Sequence, residues 1–109
     1  MKNNVDNKYV TAPTFGEALR YLMQDHGEYK GYTNEALAEA VGVCTEMISQ
    51  YRNDKARPSI DVLIEIAKVM QLHPLAALSL ARLAGYDITT PTQCNKMVFD
   101  KIYDFTYHL

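Results

Sequence analysis

Cysteine is scarce in this chain, with only Cys44 and Cys94, which form no CxxC pair and no Cys/His cluster. That spacing suggests neither a disulfide framework nor a zinc site. Long apolar runs are also missing. The best candidate, Leu75 to Leu83, is interrupted by Ser79 and Arg82, well short of the roughly 18 residues a membrane span requires. The opening MKNNVDNKYV has no apolar h-region, so no secretory signal is expected. Positive charge is not in excess: 11 Lys+Arg stand against 13 Asp+Glu, a formal net charge of -2. Non-specific affinity for nucleic acid comes from cationic neutralisation of phosphates, so this balance speaks against a generic polyanion binder. It does not say where the charges lie. Glycine and proline are too few, at 5 and 4, for a collagenous or low-complexity chain. His26, His73 and His108 are isolated, and no acid/base pair, phosphate loop or metal set is present. Neither an enzyme nor a cofactor is therefore expected.

What is present is a composition of 48% hydrophobic and 22% charged residues over 109 positions. That supports one domain around one core, and the expectation is a soluble cytoplasmic protein. Residues 1–12 are polar, carry no helical stripe and read as a mobile arm. From Pro13 the signals sharpen. Thr14 followed by Glu17 is the pattern of a capping box, and Phe15, Leu19, Leu22 and Met23 recur on one helical face. The glycines of HGEYKGY predict a stop near Gly27.

Thr33 is the expected N-cap of a second helix over 34–41, with Leu37, Ala38 and Val41 inward and Gly42 at its end. A third helix is expected over 45–53, with Ile48 and Tyr51 inward. Ser59 caps a fourth, whose stripe is Ile60, Leu63, Ile66, Ala67 and Met70. Pro74 begins a fifth that stops at Gly85, and DITTPT is a linker. The segment from Gln93 to Leu109 fits a helix to about residue 105 through Cys94, Val98, Ile102 and Phe105. The same segment also shows a partial strand-like alternation. The fold class is accordingly all-α, a small bundle of five to six helices.

Two short helices joined by Gly42-Val43-Cys44 have the geometry of a helix-turn-helix. The outer face of the second carries side chains suited to base edges. Gln50 matches adenine bidentately, Glu46 accepts from cytosine N4, and Thr45 or Ser49 serves either role. The first turn of the preceding helix offers backbone amides to a phosphate beside Asn34. Lys55 and Arg57 lie just beyond the reading helix, where a loop would meet the flanking backbone.

The run TNEALAEAVGVCTEMISQYRNDKARPSIDVLIEIAKVMQL resembles the Cro/cI-type repressor helix-turn-helix. Leu37-Ala38, Val41-Gly42-Val43, Ile48-Ser49 and Lys55 through Pro58-Ser59 carry the likeness, which extends over about residues 15 to 80 with the flanking helices. The resemblance implies a lambda-repressor-like domain over 13–85. It assigns base contacts to Thr45, Glu46, Ser49 and Gln50, and phosphate contacts to Asn34, Asn53, Lys55 and Arg57. It also implies a homodimer on a two-fold double-stranded DNA operator, with half-sites about one helical turn apart.

The chain departs from the pattern in places. Cys44 stands where the family prefers Ser or Thr as a cap. Asp54 replaces the usual Gly at a position where Asp also accepts a left-handed backbone. Residues 28–31 look like an insertion. Within 30–70 there are five basic and six acidic residues.

The expected function is a sequence-specific transcriptional regulator, a small repressor of phage or mobile-element type that acts by occupying its operator. Residues 86–109 either complete the dimer contact or cover the core. The alternative, motivated by the acidic balance and by Glu46 on the reading face, is a protein-binding module of the same fold. Such a module would be an antirepressor, an antitoxin-like neutraliser or an inhibitor of a host enzyme.

Overall fold

A computed structural model describes residues 13–24, 31–88 and 96–107, with side chains to Phe105. The arm expected over residues 1–12 and the place expected for Cys94 on the last helix lie outside the described residues. Six helices follow in order: α1 Phe15–Met23, α2 Asn34–Val41, α3 Thr45–Arg52, α4 Ile60–Val69, α5 Pro74–Leu83 and α6 Lys96–Tyr107. No strand occurs among the described residues.

Helix starts follow the capping chemistry. At α1 the Thr14 hydroxyl accepts from the Glu17 N–H at 3.1 Å, and the Glu17 carboxylate accepts from the Thr14 N–H at 2.8 Å. This reciprocal pair satisfies two backbone donors that the helix cannot bond itself. Thr33 caps α2 through the Ala36 N–H, and Ser59 caps α4 through the Val62 N–H. Pro74 opens α5, where His73 Nδ1 accepts from the Leu75 N–H.

Helix ends share one device. After α2, α3, α4 and α5 the chain passes through a left-handed residue: Gly42, Asp54, Gln71 and Gly85, with φ of 93°, 58°, 54° and 93°. The next N–H then returns to a carbonyl in the last turn. These bonds are Val43 to Ala38, Lys55 to Gln50, Leu72 to Ala67 and Tyr86 to Ala81, at 2.9 to 3.0 Å. Each is the Schellman closure, which satisfies an otherwise orphaned carbonyl and reverses the chain. Glycine at 42 avoids the Cβ strain that Asp54 and Gln71 accept.

Helix α1 ends short of the expected Gly27. Gln24 is extended, and the Met23 carbonyl accepts the Tyr32 N–H at 2.8 Å. The carbonyl that would have continued the helix is thus taken by a residue beyond the connector. The last helix begins at Lys96 and runs on to Tyr107. The partial alternation near the C-terminus loses to the helical spacing of Ile102 and Phe105, which are both buried.

One core unites all six helices. Phe15 and Leu19 of α1, Leu37 of α2, Ile48 and Tyr51 of α3, and Ile60, Leu63, Ile66 and Ala67 of α4 meet Ala77 and Leu80 of α5 and Ile102 and Phe105 of α6. Helix α3 packs against α2 and α1, α2 against α4, and α6 against α4 and α5. Two polar ties hold α6. Lys101 pairs with Asp61 in the first turn of α4 at 2.8 Å, and the Tyr103 hydroxyl donates to the Ile88 carbonyl.

Candidate nucleic-acid interface

Helix α3 is anchored from beneath by Ile48 and Tyr51, which are respectively 0% and 3% exposed. Its amphipathic spacing leaves the opposite side for solvent. Thr45 and Glu46 are exposed, while Ser49 and Gln50 are half-buried at the flank. Among the described residues none of these four side chains is engaged in a hydrogen bond or ion pair within the chain. Hydroxyl, carboxylate and carboxamide groups therefore remain available on one helical face.

The N-terminus of α3 is the less secured end. Cys44 occupies the N-cap with an extended backbone, its side chain makes no capping bond, and its thiol is exposed. Nearby, burial pushes the Tyr51 phenol above its ordinary pKa of 10.0, and negative charge on Cys44 or Tyr86 adds to the effect. Tyr51 is therefore a neutral core residue at physiological pH.

The C-terminus is tied in several directions. Arg52 Nη1 donates to Asn34 Oδ1 at 2.5 Å, joining the end of α3 to the start of α2. Arg20 of α1 donates through Nε to the Arg52 carbonyl at 3.0 Å and through Nη2 to Asn53 Oδ1. Asn53 Nδ2 donates to the Ser49 carbonyl at 2.9 Å. Asp54 accepts from the Thr14 hydroxyl at 2.7 Å and from the Gly16 N–H at 2.9 Å. The two helices touch so closely here that a Cβ on Gly16 would lie 2.4 Å from the Arg52 carbonyl oxygen. Only glycine permits that approach.

The residues matched to phosphate contacts fall into different settings. Asn34, Asn53 and Lys55 gather around the two ends of the helix-turn-helix that Arg52 bridges. Asn34 and Asn53 are each held by an arginine, and the Lys55 side chain is exposed. Arg57 is placed otherwise. Its guanidinium lies 4.4 Å from the centre of the Tyr86 ring, and Nη1 donates to the Ala84 carbonyl at 3.3 Å. Tyr86 in turn donates its hydroxyl to the Pro58 carbonyl at 2.7 Å, so Arg57 fastens the α3–α4 loop to the end of α5.

Arg20, Arg52 and Asp54 are absent from the residues that spacing nominated, although they organise this end of the site. Asp54 did carry a signal, as an acid where the family has glycine. Gly16 carried another, since a glycine within a first turn weakens a helix unless something must come close. Arg20 carried none, because its partners are more than thirty residues away.

A family model described as helix-turn-helix matches residues 30–76, from just before α2 to the start of α5. Over these residues the chain carries a helix-turn-helix of the Cro/cI type, which supports a DNA-binding regulator. No curated protein and no solved structure matches the chain. Among the described residues, no helix is long and apolar enough to cross a membrane.

Proposed function

We propose that the protein is a sequence-specific transcriptional repressor that binds a double-stranded operator as a homodimer and acts by occupying it. One observation carries the reading. The outer face of α3 presents Thr45, Glu46, Ser49 and Gln50 without partners among the described residues, on a helix whose far side is locked into the core. Such a face enters the major groove, where these side chain types discriminate base pairs. Asn34, Asn53 and Lys55 flank it and meet the phosphates that fix its register. Arg57 contributes by holding the loop that carries Lys55.

A single α3 reads few base pairs, and two copies related by a two-fold axis supply a full operator. The first test is a mobility shift at low salt against fragments that include the DNA flanking the protein's own gene. The expected result is a discrete complex on one fragment, two protomers per duplex by sedimentation, and affinity that falls steeply with salt. Association with a protein partner, and no shift on any DNA, would replace the repressor with a protein-binding module.

A further inference from the structure

We infer that Asp54 is a positioning residue of the DNA interface, acting through the turn that carries Asn53 and Lys55. It makes no contact with bases or phosphates itself. This inference rests on the DNA-binding reading of α3 and goes beyond it. The turn after α3 is exposed, and its backbone reverses at Asp54 with a φ of 58°. Glycine would adopt that conformation at lower cost, so the aspartate needs another reason. The carboxylate supplies one, because it spans to the start of α1 and accepts from both the Thr14 hydroxyl and the Gly16 N–H. A negative charge is favoured at a helix N-terminus, and hydrogen bonds to a charged acceptor are the stronger kind.

Arg20 closes the same junction from the other side, through the Arg52 carbonyl and Asn53. The end of α3 is therefore held against α1 by two side chains that need not touch DNA. Within the held segment, the Lys55 N–H returns to the Gln50 carbonyl at 2.9 Å. Order imposed at Asp54 thus reaches Lys55 on one side and the base-facing Gln50 on the other.

Charge alone predicts the opposite behaviour, which makes the inference testable by sign. An acid beside a phosphate-binding lysine repels the duplex, and removing it should tighten binding if repulsion were all it did. Asp54→Gly and Asp54→Asn both remove the charge and both tolerate a left-handed backbone. They differ in that asparagine keeps a side-chain oxygen for the Gly16 N–H. Affinity is measured on operator and on random duplex, at a temperature where circular dichroism shows each variant folded. The expected result is that Asp54→Gly binds both duplexes about tenfold more weakly than wild type, while Asp54→Asn recovers most of the loss. Amide exchange at Lys55 should be faster in Asp54→Gly without DNA.

If Asp54→Gly binds as tightly as wild type or more tightly, the positioning role is wrong and the DNA-binding reading stands. If wild type shifts no duplex, that reading itself fails and the role with it. Should Asp54→Gly not fold, Arg20→Lys takes its place. It keeps the charge but lacks the planar fork that reaches both acceptors, and unchanged affinity for both duplexes would equally overturn the junction's role.

Discussion

Gln50 and Lys55 are joined through a single backbone hydrogen bond, yet their side chains call for different measurements. Gln50→Ala is expected to cost about 1–3 kcal/mol on the operator and to relax the preference at one base pair. Lys55→Ala should weaken every sequence alike and lower the slope of log affinity against log salt by about one. Binding measured on operator, single-base variants and random duplex, each over a salt series, separates the two behaviours. Gln71 gives a purely conformational counterpart. It is exposed with a φ of 54°, and no side-chain bond compensates its left-handed strain among the described residues. Gln71→Gly should raise stability by about 0.5–1 kcal/mol in urea unfolding, the relief of left-handed strain less the entropy that glycine adds to the unfolded chain, whereas Asp54→Gly should lower it.

At the scale of the helix, what could be read in advance was whatever lies within a few residues. Thr14, Thr33 and Ser59 were legible as caps because a cap and its target are neighbours in the chain. Gly42 and the stripe from Ile60 to Met70 were legible for the same reason. The end of α1 was not, because the Met23 carbonyl is claimed by Tyr32 across the connector. The Asp54–Gly16 and Arg20–Asn53 contacts were equally out of reach, since no local pattern encodes a partner on another helix. The setting of Arg57 against Tyr86 likewise emerged only with the fold.

Helix α6 supplies the test at this scale. Ile102 is fully buried and Phe105 nearly so, among residues of α4 and α5. Ile102→Ala should destabilise by about 2–5 kcal/mol, a large part of the roughly 5–15 kcal/mol typical of a whole domain. Removing everything after Gly85 should leave a chain without cooperative thermal unfolding. A truncated protein that melts like the full chain would show that α6 is dispensable.

For the whole molecule, the core runs without interruption from beneath α3 to α6, so global stability and the placement of the exposed α3 face rest on the same residues. Tyr51 makes this visible through pH. Its phenol titrates higher in the folded chain than in the unfolded one because burial disfavours the anion. The folded state therefore holds its proton longer. Tyr51's contribution is intact below about pH 10 and is lost as pH climbs through the raised value. Tyr51→Phe should lose less stability than wild type over that alkaline range, as followed by chemical denaturation at several pH values.

The Arg52–Asp54 end of α3 is tied by several side-chain bonds, while Cys44 at its start makes no capping bond. A probe pinned at its base and free at its tip discriminates most sharply near the pin. Ser49 and Gln50 should thus demand particular nucleotides, while Thr45 and Glu46 accommodate several. An operator profile obtained by selection from random duplexes should accordingly be lopsided within each half-site, rich in information on one flank and permissive on the other.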